Sequence, residues 1–202
     1  IESVRNLNMI KTMNKLFTCI LLVLIGFSIH AQQIEKYQIV TEVGNIEVEV
    51  YPEKAPVTVE NFRAYINSGA YHKSSFFRVC TPENEADRKI KIEVIQGGNV
   101  ADSLLLPAIA IETTKFTGLK HKNGTLSMAR FGPNTAQSSF FICINDQPEL
   151  DFKGARNPDG FGFAAFGQVT KGMDVVKKIQ SGEETEQYLI KPIEIISIAQ
   201  IK

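Results

Sequence analysis

The sequence predicts a mainly β fold closed into a barrel. Three observations carry the prediction. Short segments alternate apolar and polar residues with period two, as half-buried strands do. Only two stretches show the three-and-four spacing of an amphipathic helix. Strands and helices do not alternate, so the βαβ rhythm of a parallel sheet is missing, and many short strands on one core favour closure. The 202 residues suit one domain, and 44% hydrophobic with 22% charged residues is globular composition.

The first 31 residues read separately from the fold. Lys11 and Lys15 precede the apolar run Leu16–Phe27, and Ser28-Ile29-His30-Ala31 follows. Basic, apolar and then small residues are the order of a secretory signal peptide. The run, about 12 residues, is too short to span a bilayer. Residues 1–31 are therefore expected to be a leader, with Met13 the expected start, and 32–202 the exported domain. The expected destination is the periplasm rather than the medium, with no stable membrane insertion once the leader is gone. Taking Arg5, Lys11, Lys15 and Glu2 from the 22 basic and 22 acidic residues leaves 19 and 21, a formal charge of −2. Nothing in that balance attracts nucleic acid. Spacing leaves open whether Cys80 and Cys143 form a disulfide; two free thiols are expected.

Within the domain, Ile39, Thr41 and Val43 alternate before Gly44-Asn45, and Ile46, Val48 and Val50 after it. That is a hairpin over 35–51. Val59, Phe62 and Ile66 make one stripe of a helix over 56–68, with Pro56 at an early position and Gly69 at the stop. Strands are expected over 75–80, 89–95, 125–128, 139–144, 163–169 and 193–201. A second short helix is expected over 172–180. Thr81–Arg88 and 148–162 read as loops, and 99–120 as mostly irregular.

Nucleotide-loop and metalloprotease motifs are missing, and no cysteine pair has zinc spacing. No metal or cofactor is expected. His72 and His121 read as surface or loop groups. Either could pair with a serine such as Ser75 or Ser127, but no nucleophile elbow supports a hydrolase.

Several segments together resemble the cyclophilin family over about residues 38–201. They are Tyr51-Pro-Glu-Lys-Ala-Pro-Val-Thr-Val-Glu-Asn-Phe62, Phe76-Phe-Arg-Val79, Gln96-Gly-Gly98, Gly124-Thr-Leu-Ser-Met-Ala129, Gly132-Pro-Asn-Thr135, Phe140-Phe-Ile142, Phe166-Gly167 and Gly172-Met-Asp174. The resemblance implies a closed eight-stranded antiparallel barrel capped by two α-helices, with the substrate groove on its outer surface. It implies peptidyl-prolyl cis/trans isomerisation, or proline-peptide binding with little turnover. The implied partners are proline-containing peptides and unfolded or partly folded proteins, met by a monomer.

By the same resemblance Arg78 and Gln96 are the catalytic pair. Phe141 is the floor of the proline pocket, Leu150 its edge and Val94, in place of methionine, an apolar wall. Arg130 falls where the family holds peptide through backbone. Ser139, Glu149 and Phe163 replace other groove residues, and Glu93 stands where the family often has Phe. Glu149 at the rim suggests a preference for a basic flanking residue. Arg78 and Gln96 are further apart along the chain than is typical, which makes 81–90 an insertion.

Overall fold

The protein is described by a computed structural model covering residues 34–202; the leader reading lies outside the described residues. The strands are β1 (Glu35–Thr41), β2 (Gly44–Val50), β3 (Ser74–Cys80), β4 (Val94–Gly97), β5 (Thr125–Met128), β6 (Phe140–Cys143), β7 (Ala164–Lys171), β8 (Glu184–Thr185) and β9 (Tyr188–Ile201). The helices are α1 (Pro56–Asn67), α2 (Thr114–Thr117) and α3 (Met173–Gln180). Every pairing is antiparallel. The order β1-β2-β7-β5-β6-β4-β3-β9 closes through β1 against β9, giving an eight-stranded barrel, and β8 is a two-residue flap on β9.

Closure removes the free edges that an open sheet of short strands would leave. The inner face is dominated by aromatic rings. Phe62 of α1 is fully buried and meets Tyr37, Tyr71, Phe140 and Phe166 with ring centroids 5.3–5.8 Å apart. The N-terminus of α1 starts at Pro56 and has no side-chain cap of its own. Glu112 supplies one from 54 residues away, its carboxylate accepting from the amides of Val57 (3.1 Å) and Thr58 (2.8 Å) and from Thr58 Oγ1 (2.7 Å).

Two expectations are corrected. Residues 89–93 alternate like a strand but stay outside the sheet, and β4 begins at Val94. The amide of Ile92 is taken by the Glu85 carboxylate at 2.8 Å, a side chain of the preceding loop, in place of a strand partner. The last strand begins at Tyr188, not 193, because β8 gives its first residues a partner. Residues 99–120 are mostly irregular, as expected, with a 3-10 turn at Asp102–Leu104 and one α-helical turn, α2, closed by Gly118 at φ 70°.

Candidate active site

The groove lies outside the barrel, and strand alternation explains why. On β6, Phe140 and Ile142 enter the main core while Phe141 and Cys143 point to the other face. On β4, Ile95 points in, and Val94 and Gln96 line the groove. On β3 the register shifts between Phe76 and Arg78. The bulge leaves Phe76 and Val79 in the core and puts both Phe77 and Arg78 on the groove side. A straight row of cross-strand partners results: Tyr188, Arg78, Gln96, Phe141, Ser127. Arg78 and Phe141 are two strands apart, about 10 Å between backbones. The Gln-Gly-Gly turn allows close packing beside Phe76 and Phe140 of the core. Gly98 has φ 78°, and a Cβ there would meet the Ser138 carbonyl oxygen at 2.9 Å.

The resulting groove has a volume of about 680 Å³. Arg78, Gln96, Phe141, Val94, Leu150, Arg130, Ser139 and Phe163 all line it. Glu149 does not: its carboxylate accepts from the Ala155 amide at 2.7 Å and closes its own loop. The expected rim anion is therefore corrected, since the loop uses the group internally. Glu93 likewise bonds Asn145, at 3.0 Å.

The Arg78 guanidinium is half-buried and faces neutral partners. Nη1 donates to Gln96 Oε1 at 2.9 Å, and Nε and Nη2 donate to Gln187 Oε1 at 3.1 and 2.5 Å. Among the described residues no carboxylate pairs with it, so its charge is available to the groove. Gln187 was invisible in the sequence. It comes from the β8–β9 turn, with φ 74°, 109 residues from Arg78.

The apolar slot beside this cation is Phe141, Val94, Leu150 and Ile92, with Ala129 and Phe163 packed on them. Phe163 meets Phe141 edge to face at 5.3 Å. Arg130 holds Phe163 in place: its guanidinium sits 5.1 Å over that ring, pairs with both oxygens of Asp159 at 2.8 and 2.9 Å, and donates to the Gly162 carbonyl at 2.8 Å. The Arg130 side chain is thus a brace for the groove wall. Cys80 and Cys143 lie one strand to each side of Val94, both buried free thiols.

His121 is not a surface group. It is 1% exposed and stacks on Phe141 from behind, centroids 6.1 Å apart at 16°. Its Nδ1 bonds Asp151 Oδ1 at 2.8 Å and its Nε2 bonds Ser127 Oγ at 2.9 Å. Ser127 is fully buried and does not line the groove, so this Asp-His-Ser set supports the pocket floor and presents no nucleophile. Burial pushes the His121 pKa below its ordinary 6.5, outweighing the pull of Asp151 upward. Burial would also raise Asp151, but its bonds to His121 prevail and hold its pKa low.

The depressed histidine ties stability to pH. Below pH 6.5 unfolded chains protonate this histidine and folded ones do not, so stability present above 6.5 is lost as pH falls. The urea midpoint is expected to drop between pH 7 and 5. In a His121→Gln variant that drop should shrink; an equal drop in both proteins would contradict the assignment.

Among the described residues four arginines line the groove, Arg78, Arg88, Arg130 and Arg156, and no carboxylate does. Asp159 neutralises Arg130, and Glu85 neutralises Arg156. Arg88 is exposed and makes no ion pair among the described residues.

Comparison with known proteins places the chain among relatives over most of its length. The family model described as cyclophilin type peptidyl-prolyl cis-trans isomerase/CLD matches residues 36–200. A peptidyl-prolyl cis-trans isomerase of Acinetobacter baylyi is 37% identical over 87% of this chain and 89% of its own. Peptidyl-prolyl cis-trans isomerase B of Escherichia coli is 36% identical over 69% of this chain and 80% of its own. A solved Cryptosporidium parvum cyclophilin type peptidyl-prolyl cis-trans isomerase, in the presence of the dipeptide Ala-Pro, superposes with a TM-score of 0.67 at 23% identity, over 83% of this chain and 99% of that one; this likeness speaks for the fold alone. The matched model spans almost the whole described domain, and the chain belongs to the cyclophilin-type peptidyl-prolyl cis-trans isomerase family.

Proposed function

We propose that this protein accelerates cis–trans exchange of Xaa-Pro bonds in exported polypeptides, acting in the periplasm after its leader is removed. The observation that carries the reading is a guanidinium held only by amides beside an apolar slot of ring size. Resonance between nitrogen and carbonyl sets a barrier of about 18–20 kcal/mol. Before proline both isomers are accessible, yet exchange takes tens of seconds or more. No covalent bond has to break. The site has only to favour the twisted amide over both planar forms.

Phe141, Val94 and Leu150 grip the prolyl ring. One Arg78 donor approaches the prolyl nitrogen, whose lone pair localises as the bond twists. The other free donor holds the carbonyl on the proline side, and Gln96 and Gln187 fix the fork. Proline-limited refolding of a denatured secreted protein tests the reading. Substoichiometric protein should speed the slow phase. An unchanged slow phase, with tight binding of the unfolded chain, would favour a groove that only captures. Fully exposed Phe131 on the groove wall is the feature that supports capture.

Two uncompensated arginines, Arg78 and Arg88, make the groove positive. A peptide with Glu beside the Xaa-Pro bond is expected to react roughly two- to fivefold faster than one with Lys at low salt, as exposed pairs permit. Arg88→Glu should abolish the preference, since it leaves the two groove charges balanced. Equal kcat/KM across the peptide panel in the parent would remove Arg88 from substrate selection.

A further inference from the structure

We infer that the inserted loop positions the groove arginine through Glu85, a buried carboxylate that orients the amide of Gln187. The inference rests on reading Arg78 as the cation of turnover.

Glu85 is 1% exposed, although it stands in the polar run Thr81–Arg88. Its carboxylate takes both Arg156 nitrogens, Nη2 at 2.5 Å and Nη1 at 2.8 Å. It also accepts from the Ile92 amide at 2.8 Å and from Gln187 Nε2 at 3.3 Å. Gln187 Nε2 lies 3.4 Å from the Asn84 carbonyl as well. On the other side, Gln187 Oε1 receives Arg78 Nε and Nη2.

The chemistry of an amide makes Glu85 decisive. Gln187 has one accepting end and one donating end. Arg78 offers only donors and needs the accepting end. Glu85 and the Asn84 carbonyl offer only acceptors and demand the donating end. Together they leave the amide one orientation. Without the carboxylate only the Asn84 carbonyl, at 3.4 Å, would hold the donating end, and an amide that turned would set donor against donor at Arg78 and leave the guanidinium only its Gln96 bond. Arg156 acts separately. It balances the Glu85 charge and donates to the Ile90 carbonyl at 2.6 Å, which pins the loop. Glu85 and Gln187 are accordingly positioning residues, and neither touches substrate through this network.

The test is a double-mutant cycle in the full chain, read by exchange kinetics on an Ala-Pro peptide. Glu85→Gln and Gln187→Leu should each lower kcat about tenfold, the loss of a bond to a charged group, with KM within twofold. The double variant should lose no more than Gln187→Leu alone, because Glu85 acts through that amide. Nitrogen-15 NMR of the Arg78 Nε–H gives a readout independent of turnover: its hydrogen exchange should be slow in the parent and fast in both single variants. If Glu85→Gln fails to fold, Glu85→Leu with Arg156→Leu removes both buried charges together, a change that commonly preserves stability. That variant should fold and still show fast Nε–H exchange. Losses that multiply in the double, or single variants with parental kcat and slow exchange, would overturn the inference. A parent without turnover would instead sink the isomerase reading, and the NMR result would still judge the positioning.

Discussion

Arg78→Ala is expected to lower kcat/KM for an Xaa-Pro peptide by roughly 100-fold or more while leaving the fold intact. A well-placed donor is worth about 3–4 kcal/mol in a transition state of this kind. Arg78 carries five N–H donors; three are taken by the two amides that hold it, which carry no competing charge, and two are left for substrate. It is half-buried at a bulge, outside the barrel core, so removing it opens no cavity there. The loss should therefore appear in turnover and not in the melting temperature. Peptide exchange kinetics on parent and variant check this. A variant within threefold of the parent would end the assignment of Arg78, and a variant that no longer folds would show a structural role instead.

The largest effect on stability is expected from Phe62→Ala. The ring is fully buried and touches four other aromatic rings inside the barrel. Removing a buried Phe typically costs about 3–5 kcal/mol, from lost transfer and from the cavity left behind. The neighbours are strand residues locked in a closed sheet, apart from Tyr71, so the hole cannot collapse far. Urea unfolding should show this loss with an unchanged slope. A cost under about 1 kcal/mol would mean that the barrel repacks. Phe140 and Phe62 share the interior, so the groove should register the damage through β6, where Phe140 and Phe141 are adjacent.

Much of this was legible from the sequence because alternation is local. The strand over 139–144 was read from its residues, and the resemblance supplied Phe141, Arg78, Gln96, Val94 and Leu150 as groove residues; alternation along β6 then explains why Phe140 enters the core. What stayed hidden depends on contacts between distant segments. Glu85 sits among Glu, Asn and Asp and looks solvated, yet Arg156, 71 residues on, draws it inside. Glu149 looks like a rim charge, but its own loop folds back onto it. Lys89–Ile95 carries a strand pattern, but the pattern cannot tell that the Ile92 amide finds a side chain in place of a neighbouring strand. His121, between two lysines, looks exposed, and only the placement of Asp151 and Ser127 around it explains its burial.

The most direct measurement is two-dimensional exchange NMR on an Ala-Pro peptide with catalytic amounts of the protein and no coupling protease. Cis and trans resonances should join by cross-peaks within the mixing time, and the exchange rate should rise in proportion to protein concentration. Peptide resonances that shift or broaden on binding while the two isomers stay unconnected would show a groove that holds proline without turning it.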